Sequence, residues 1–162
     1  MIDDAILEQA AALLETLRAR GLMLATAESC TGGLIAAALT HIPGSSDVVE
    51  RGFVTYSNAA KTAMLDVPAA LIQRLGAVSE SVAGRMAEGA IRHSSAHIAV
   101  SVTGVAGPGG GSVDKPVGLV WFGCMRRGGT VHTTHQVFKG DRAQVRAQAV
   151  AFAFKLILDQ AG

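Results

Sequence analysis

Apolar residues recur at intervals of three and four near the start of the chain. Ile6, Leu7, Ala10, Leu13, Leu14 and Leu17 form one stripe, which predicts an amphipathic helix over 3–20 that Gly21 ends. The period then changes: Leu22 to Ala27 is a short apolar run and reads as a buried strand. A helix rich in small residues is predicted to open at Thr31 or Gly32, pass through Leu39 and His41, and stop at Pro43-Gly44. Val48 to Tyr56 is rich in strand formers. Ser57 or Asn58 is placed to cap a short helix over 59–65, and Pro68 to start another that ends near Gly76. Ser79 opens a longer helix with the stripe Val82, Met86, Ala90 and Ile91; no Glu follows it at the third position, so it is a plain N-cap.

In the second half, 96–102 reads as a strand and a glycine loop follows over 104–112. Two more strands, 117–125 and 131–138, are joined by Arg126-Arg127-Gly128-Gly129, a hairpin signal. Asp141 caps a last helix that runs to about Asp159. No repeat, linker or low-complexity segment interrupts this order, so residues 1–162 are expected to form one domain. Strands alternating with helices, plus one hairpin, predict a three-layer α/β/α sandwich with a mixed β-sheet.

Composition narrows the function. The chain has 162 residues, 49% hydrophobic and only 17% charged, which excludes a disordered chain. Fourteen Lys and Arg stand against 13 Asp and Glu, a net charge of +1 with no long run of either sign. That leaves no electrostatic footprint for DNA or RNA. Aromatic residues make up only 4%, too few for the stacking platforms that hold single strands. No apolar run approaches the ~20 residues that span a bilayer. The start is acidic and lacks the basic and apolar regions of a signal peptide, so a cytoplasmic protein without membrane association is expected. Two cysteines, Cys30 and Cys124, do not make a disulfide scaffold.

Three segments could carry chemistry. The first is Ala27-Glu28-Ser29-Cys30-Thr31-Gly32-Gly33, between a strand and a helix. Ligands of α/β sheets bind at that edge, and a helix N-terminus supplies free amides and a partial positive charge. Ser29 can be a nucleophile with those amides steadying an oxyanion, or Ser29 or Thr31 can simply cap the helix. No Gly lies two residues before Ser29, so this is not a nucleophile elbow. Cys30 at a helix start would have a lowered pKa, yet no histidine lies near it, and a small buried cysteine is the commoner outcome. The second segment is Tyr56-Ser57-Asn58-Ala59-Ala60-Lys61. Lys61 in a first helical turn opposes the dipole, which lowers its pKa and suits a general base; the plain alternative is a solvated surface lysine. The third is the run Thr103 to Ser112, a glycine loop leaving a buried strand that can wrap an anion in amides or lie free at the surface. It lacks the Gly-Lys-Ser/Thr of a phosphate-binding P-loop, and a strand rather than a helix follows it. Ser112-Val113-Asp114-Lys115 matches Ser-x-x-Lys, but Pro116 pushes Lys115 out of helical geometry. His41, His93, His97, His132 and His135 have no metal-ligand spacing, so no metal or other cofactor is expected.

Together, Thr26 to Gly33, the loop 103–112 followed by Lys115-Pro116-Val117-Gly118, and Phe138-Lys139-Gly140-Asp141-Arg142 resemble the CinA C-terminal domain family, from about Ile6 to Ala153. Three separated motifs in order are far more specific than any one alone. The resemblance implies the three-layer fold and, from the family's enzymatic members, hydrolysis of the carboxamide of nicotinamide mononucleotide. It implies Ser29 as nucleophile, with Lys61 and Tyr56 as base and proton relay. It implies a substrate site made of Cys30, Thr31, Gly32, Gly33, Thr103, Gly104, Ala106, Gly107 and Arg142. The expected partner is a small-molecule nucleotide, and assembly into a homo-oligomer is compatible with it. The rival reading is a nucleotide-binding module of the same fold without the reaction.

Overall fold

A five-stranded sheet divides the computed structural model of the chain, which describes residues 2–162. In chain order the elements are α1 (Asp4–Ala19), β1 (Leu24–Glu28), α2 (Leu34–Thr40), a one-turn 3-10 helix (Ser45–Asp47) and β2 (Val49–Val54). There follow α3 (Asn58–Leu65), α4 (Ala69–Leu75), α5 (Glu80–Arg92), β3 (Ile98–Gly104), β4 (Leu119–Arg126), β5 (His132–Val137) and α6 (Arg142–Ala161). The sheet order is β2-β1-β3-β4-β5. β1 pairs parallel with β2 and β3, whereas β3–β4 and β4–β5 are antiparallel. The sheet is therefore mixed, as the alternation of elements implies.

Helices cover both faces, completing three layers. On one side α1, α2 and α6 bury Leu13, Leu17, Ile35, Leu39, Phe154 and Ile157 against Leu24, Val100, Val102 and Phe122. On the other, α3, α4 and α5 bury Leu65, Ile72, Val82 and Met86 against Ala25, Ala27 and Ala99. This second face is lined by small residues, which explains the alanine and glycine content. A Cβ on Gly123 of β4 would stand 2.6 Å from the Ala83 carbonyl oxygen of α5, so the helix lies nearly on the strand.

Several predicted boundaries move, for local reasons. β1 starts at Leu24 rather than Leu22, because the Leu22 amide turns back to the Leu17 carbonyl at 2.9 Å and closes α1. β3 begins two residues later and runs two residues further than predicted, since Thr103 and Gly104 still pair with Trp121 and Val120 of β4. β2, β4 and β5 are each a little shorter than their apolar runs. The 3-10 turn at Ser45–Asp47 has no counterpart in the sequence reading. Asp141 does cap α6, and Gln144 answers it in a full capping box. Ser57 and Ser79 cap α3 and α5.

The largest correction concerns α2. It begins at Leu34, three residues after Thr31, because Gly32 (φ 57°) and Gly33 (φ 99°) take left-handed conformations. Only glycine enters that region freely, so the pair makes a four-residue turn where a helix start was expected.

Candidate active site

The parallel half of the sheet sets the site. β1, β2 and β3 all end on one edge, and the segments leaving them are Ser29–Gly33, Thr55–Tyr56 and Val105–Ser112. This is the carboxyl edge, where α/β sheets bind ligands. The ladder continues past the strands: the Ser29 amide donates to the Val102 carbonyl and the Thr55 amide to the Glu28 carbonyl, both at 2.9 Å. Ser29 and Thr55 are thus rigidly held.

Lys61 brings the first two segments together. Its Nζ lies 3.0 Å from Ser29 Oγ, 3.1 Å from the Thr55 carbonyl oxygen and 3.3 Å from that of Tyr56. The lysine is only 1% exposed and Ser29 8%. A side chain on a helix leans toward the N-terminus, which carries Lys61 back over the start of α3 to the sheet edge. Among the described residues Lys61 has no carboxylate partner. Burial pushes its ammonium below the usual 10.5 of lysine, and the nearby Cys30 opposes this by its charge. The cause is therefore chiefly burial, where the sequence reading invoked the helix dipole. The three acceptors match three ammonium protons. In the neutral amine, two N–H groups can stay on the carbonyls while the lone pair faces the Ser29 hydroxyl.

Neither Ser29 nor Thr31 caps α2. That task falls to Glu28, fully buried at the end of β1. Its Oε1 accepts from the Thr31 hydroxyl at 2.7 Å and the Ile35 amide at 2.9 Å; Oε2 accepts from the Ala36 amide at 3.0 Å. A carboxylate at a helix N-terminus is well placed against the dipole. It also occupies the helix's own donors, so these are not free to hold an oxyanion. The Gly32 amide is likewise used, on the Ser29 carbonyl at 3.0 Å. Among the described residues the amides of Cys30, Thr31 and Gly33 have no acceptor on another residue.

Cys30 is a buried thiol, pushed up to about 11, mainly by its burial. It is no thiolate nucleophile at neutral pH.

Tyr56 gives Lys61 its carbonyl, while the residue is 62% exposed and its hydroxyl accepts from Arg142 Nη2 at 3.3 Å. Arg142, the first residue of α6, also donates through Nη1 to the Gly107 carbonyl at 2.9 Å. One guanidinium thus ties the glycine loop to the end of β2. Thr103 is buried, and its hydroxyl donates to the Ala77 carbonyl at 3.0 Å, joining β3 to the α4–α5 connection. Gly104 is tightly packed: a Cβ there would sit 2.7 Å from Val120 Cγ2. Ala106 has its methyl in the hydrophobic core, so only its main chain can meet a ligand. The sequence reading missed Arg146, which donates from α6 to the carbonyls of Cys30 and Thr31 at 3.2 and 3.0 Å. A signal was present. Arg142 and Arg146 are four apart on a helix, a repulsive spacing unless each has its own partner.

The model of the CinA C-terminal domain matches residues 7–161. The chain is 53% identical over 142 residues to the nicotinamide-nucleotide amidohydrolase PncC of Enterobacter agglomerans, covering 88% of this chain and 87% of that one. It is 46% identical to the protein of the same name from Escherichia coli, over 99% and 97% of the two chains. Among solved structures, the competence/damage inducible protein CihA from Agrobacterium tumefaciens superposes with a TM-score of 0.97 at 45% identity, covering 100% of this chain and 99% of that one.

Proposed function

This chain belongs to the CinA C-terminal domain family, and from that membership and its site we propose that it hydrolyses the carboxamide of nicotinamide mononucleotide. The products are nicotinate mononucleotide and ammonia, and the chain is a hydrolase of pyridine-nucleotide salvage acting as one catalytic domain. The observation that carries the mechanism is the buried 3.0 Å contact between Lys61 Nζ and Ser29 Oγ.

Ser29 Oγ attacks the carboxamide carbon as Lys61 Nζ takes the hydroxyl proton. The negative charge that develops on the carboxamide oxygen is received by the free amides of the turn over 30–33. Collapse breaks the C–N bond, and the Lys61 ammonium gives its proton to the leaving nitrogen, which departs as ammonia. Water then attacks the acyl-serine. Lys61 takes the water's proton and returns it to Ser29 Oγ, and the carboxylate leaves. Tyr56 and Thr55 hold the lysine through their carbonyls throughout. Arg142 and the loop after β3 receive the nucleotide, the guanidinium fork being suited to a phosphate. A reducing cytoplasm suits the two free, buried thiols.

The test is ammonia release from nicotinamide mononucleotide by the purified chain, with nicotinate mononucleotide identified as co-product. Turnover by the wild type and its absence in Ser29→Ala support the reading. A silent wild type would favour a binding module without the reaction.

A further inference from the structure

Arg146 lies on α6 one turn after Arg142, partly buried, and forms no ion pair among the described residues. Its charge is spent on two consecutive carbonyls of the turn that follows Ser29: Nε on Cys30 and Nη2 on Thr31. The same guanidinium lies against the turn's glycine, since a Cβ on Gly32 would stand 3.6 Å from Nη2. The guanidinium is thus directed to main-chain carbonyls of the turn, while the Glu28 carboxylate holds the same turn through the Thr31 hydroxyl.

The peptide unit explains what that grip does. In a planar trans peptide the C=O and N–H point in opposite directions. Holding the Cys30 carbonyl toward α6 therefore turns the Thr31 N–H away from α6. Holding the Thr31 carbonyl does the same for Gly32, whose N–H reaches the Ser29 carbonyl and closes the turn. Thr31 N–H is left with no acceptor in the chain beyond the turn, and Glu28 already occupies the amides of α2. A positive charge on the carbonyl end of a peptide unit also polarises its N–H into a better donor.

We infer that Arg146 is a positioning residue for the hydrolysis: from α6 it fixes the Ser29–Gly33 turn, and with it the alignment of the nucleophile and the turn's unpaired amides with the oxyanion. This rests on the serine mechanism proposed above, with Arg146 touching the turn and not the substrate.

The experiment compares wild type, Ser29→Ala, Arg146→Ala and Arg146→Lys, with kcat normalised to folded protein. Losing one oxyanion donor costs about 10²- to 10³-fold, so a misaimed donor should lower kcat by roughly 10- to 100-fold. KM for nicotinamide mononucleotide should stay within about 3-fold, because the substrate ground state does not use the contact. The pH at which the rate reaches half its plateau should not move, since Lys61 keeps its surroundings. Lysine has no fork to bridge two carbonyls, so Arg146→Lys should remain impaired, while added guanidinium should restore part of the rate of Arg146→Ala. Pyridine-3-boronic acid, which forms a tetrahedral adduct on a serine, should bind both variants more weakly in the same ratio as kcat falls. A variant with a lowered melting temperature but wild-type kcat per folded molecule would overturn the inference, and so would a loss confined to KM. If Arg146→Ala does not fold, Arg146→Lys decides by the same criteria. A silent wild type, or an active Ser29→Ala, would instead sink the serine mechanism itself.

Discussion

Lys61 Nζ and Ser29 Oγ stand 3.0 Å apart although 32 residues separate them in the chain. Each is delivered by a different connection at the same sheet edge, and the contact exists only because β1 and β2 are parallel neighbours. Both groups are buried, so neither is free to adjust as a surface pair would.

Removal of the serine hydroxyl should therefore silence the enzyme without unfolding it. Ser29→Ala is expected to lower kcat by about 10³-fold or more, the scale on which a lost nucleophile acts. The backbone bond from Ser29 to Val102 does not involve the side chain, so the melting temperature should change little. Cys30→Ala should keep most activity, because a thiol held up at about 11 contributes no thiolate at neutral pH. Steady-state ammonia release and thermal melting of both variants check this.

The rate of the wild type should rise with pH as Lys61 loses its proton, and level off below the usual 10.5 of lysine. Lys61→Met and Lys61→Arg should both be nearly inactive, the second because a guanidinium stays protonated. Stability carries the same signature. The unfolded chain binds the Lys61 proton up to about pH 10.5, while the folded chain releases it at lower pH. Between those two values the unfolded state holds more protons, so this residue makes stability rise with pH. Lys61→Met should flatten that rise in denaturant titrations across the alkaline range. An unchanged slope would show that burial does not lower the lysine's proton affinity.

Arg142→Ala should raise KM for nicotinamide mononucleotide by about 10-fold or more, since a charge-assisted contact contributes about 1.5–3 kcal/mol. It also frees the Gly107 carbonyl and the Tyr56 hydroxyl. Tyr56→Phe removes only the latter contact and separates the two effects. The loss should be much smaller on nicotinamide riboside, which has no phosphate. Equal losses on both substrates would assign Arg142 to holding the loop instead.

Gly89 offers a test of packing that reaches the site. In an ordinary helix Gly→Ala stabilises by about 0.5–1 kcal/mol. At Gly89 in α5 the new Cβ would collide with the Leu65 carbonyl oxygen and lie 2.8 Å from its carbonyl carbon. Leu65 ends α3, the helix that carries Lys61. Gly89→Ala should thus destabilise by about 1–3 kcal/mol, as overpacked cores do, and should lower kcat by moving α3. A more stable, fully active variant would refute the close approach of the two helices.

Local signals were legible in the sequence, and each acts over a few residues. The stripe of α1, the caps Ser57, Ser79 and Asp141, and the strand–turn–strand around Gly128-Gly129 all follow from period, capping and turn chemistry. The same reasoning put Ser29 between a strand and a helix, and Lys61 in the opening of α3. It could not tell a nucleophile from a cap, or a base from a surface lysine. Those alternatives differ only in what stands across the sheet edge, and neighbours 32 or more residues away leave no periodic trace. Tertiary structure decided that Lys61 is buried against Ser29, and that Glu28 caps α2 in place of the serine. It turned the Thr103 hydroxyl toward Ala77, and brought Arg146 from α6 onto a turn 115 residues earlier. The physical reason is the same in each case: burial and long-range hydrogen bonds depend on which elements the sheet places side by side, a property of strand order and not of any local run of residues.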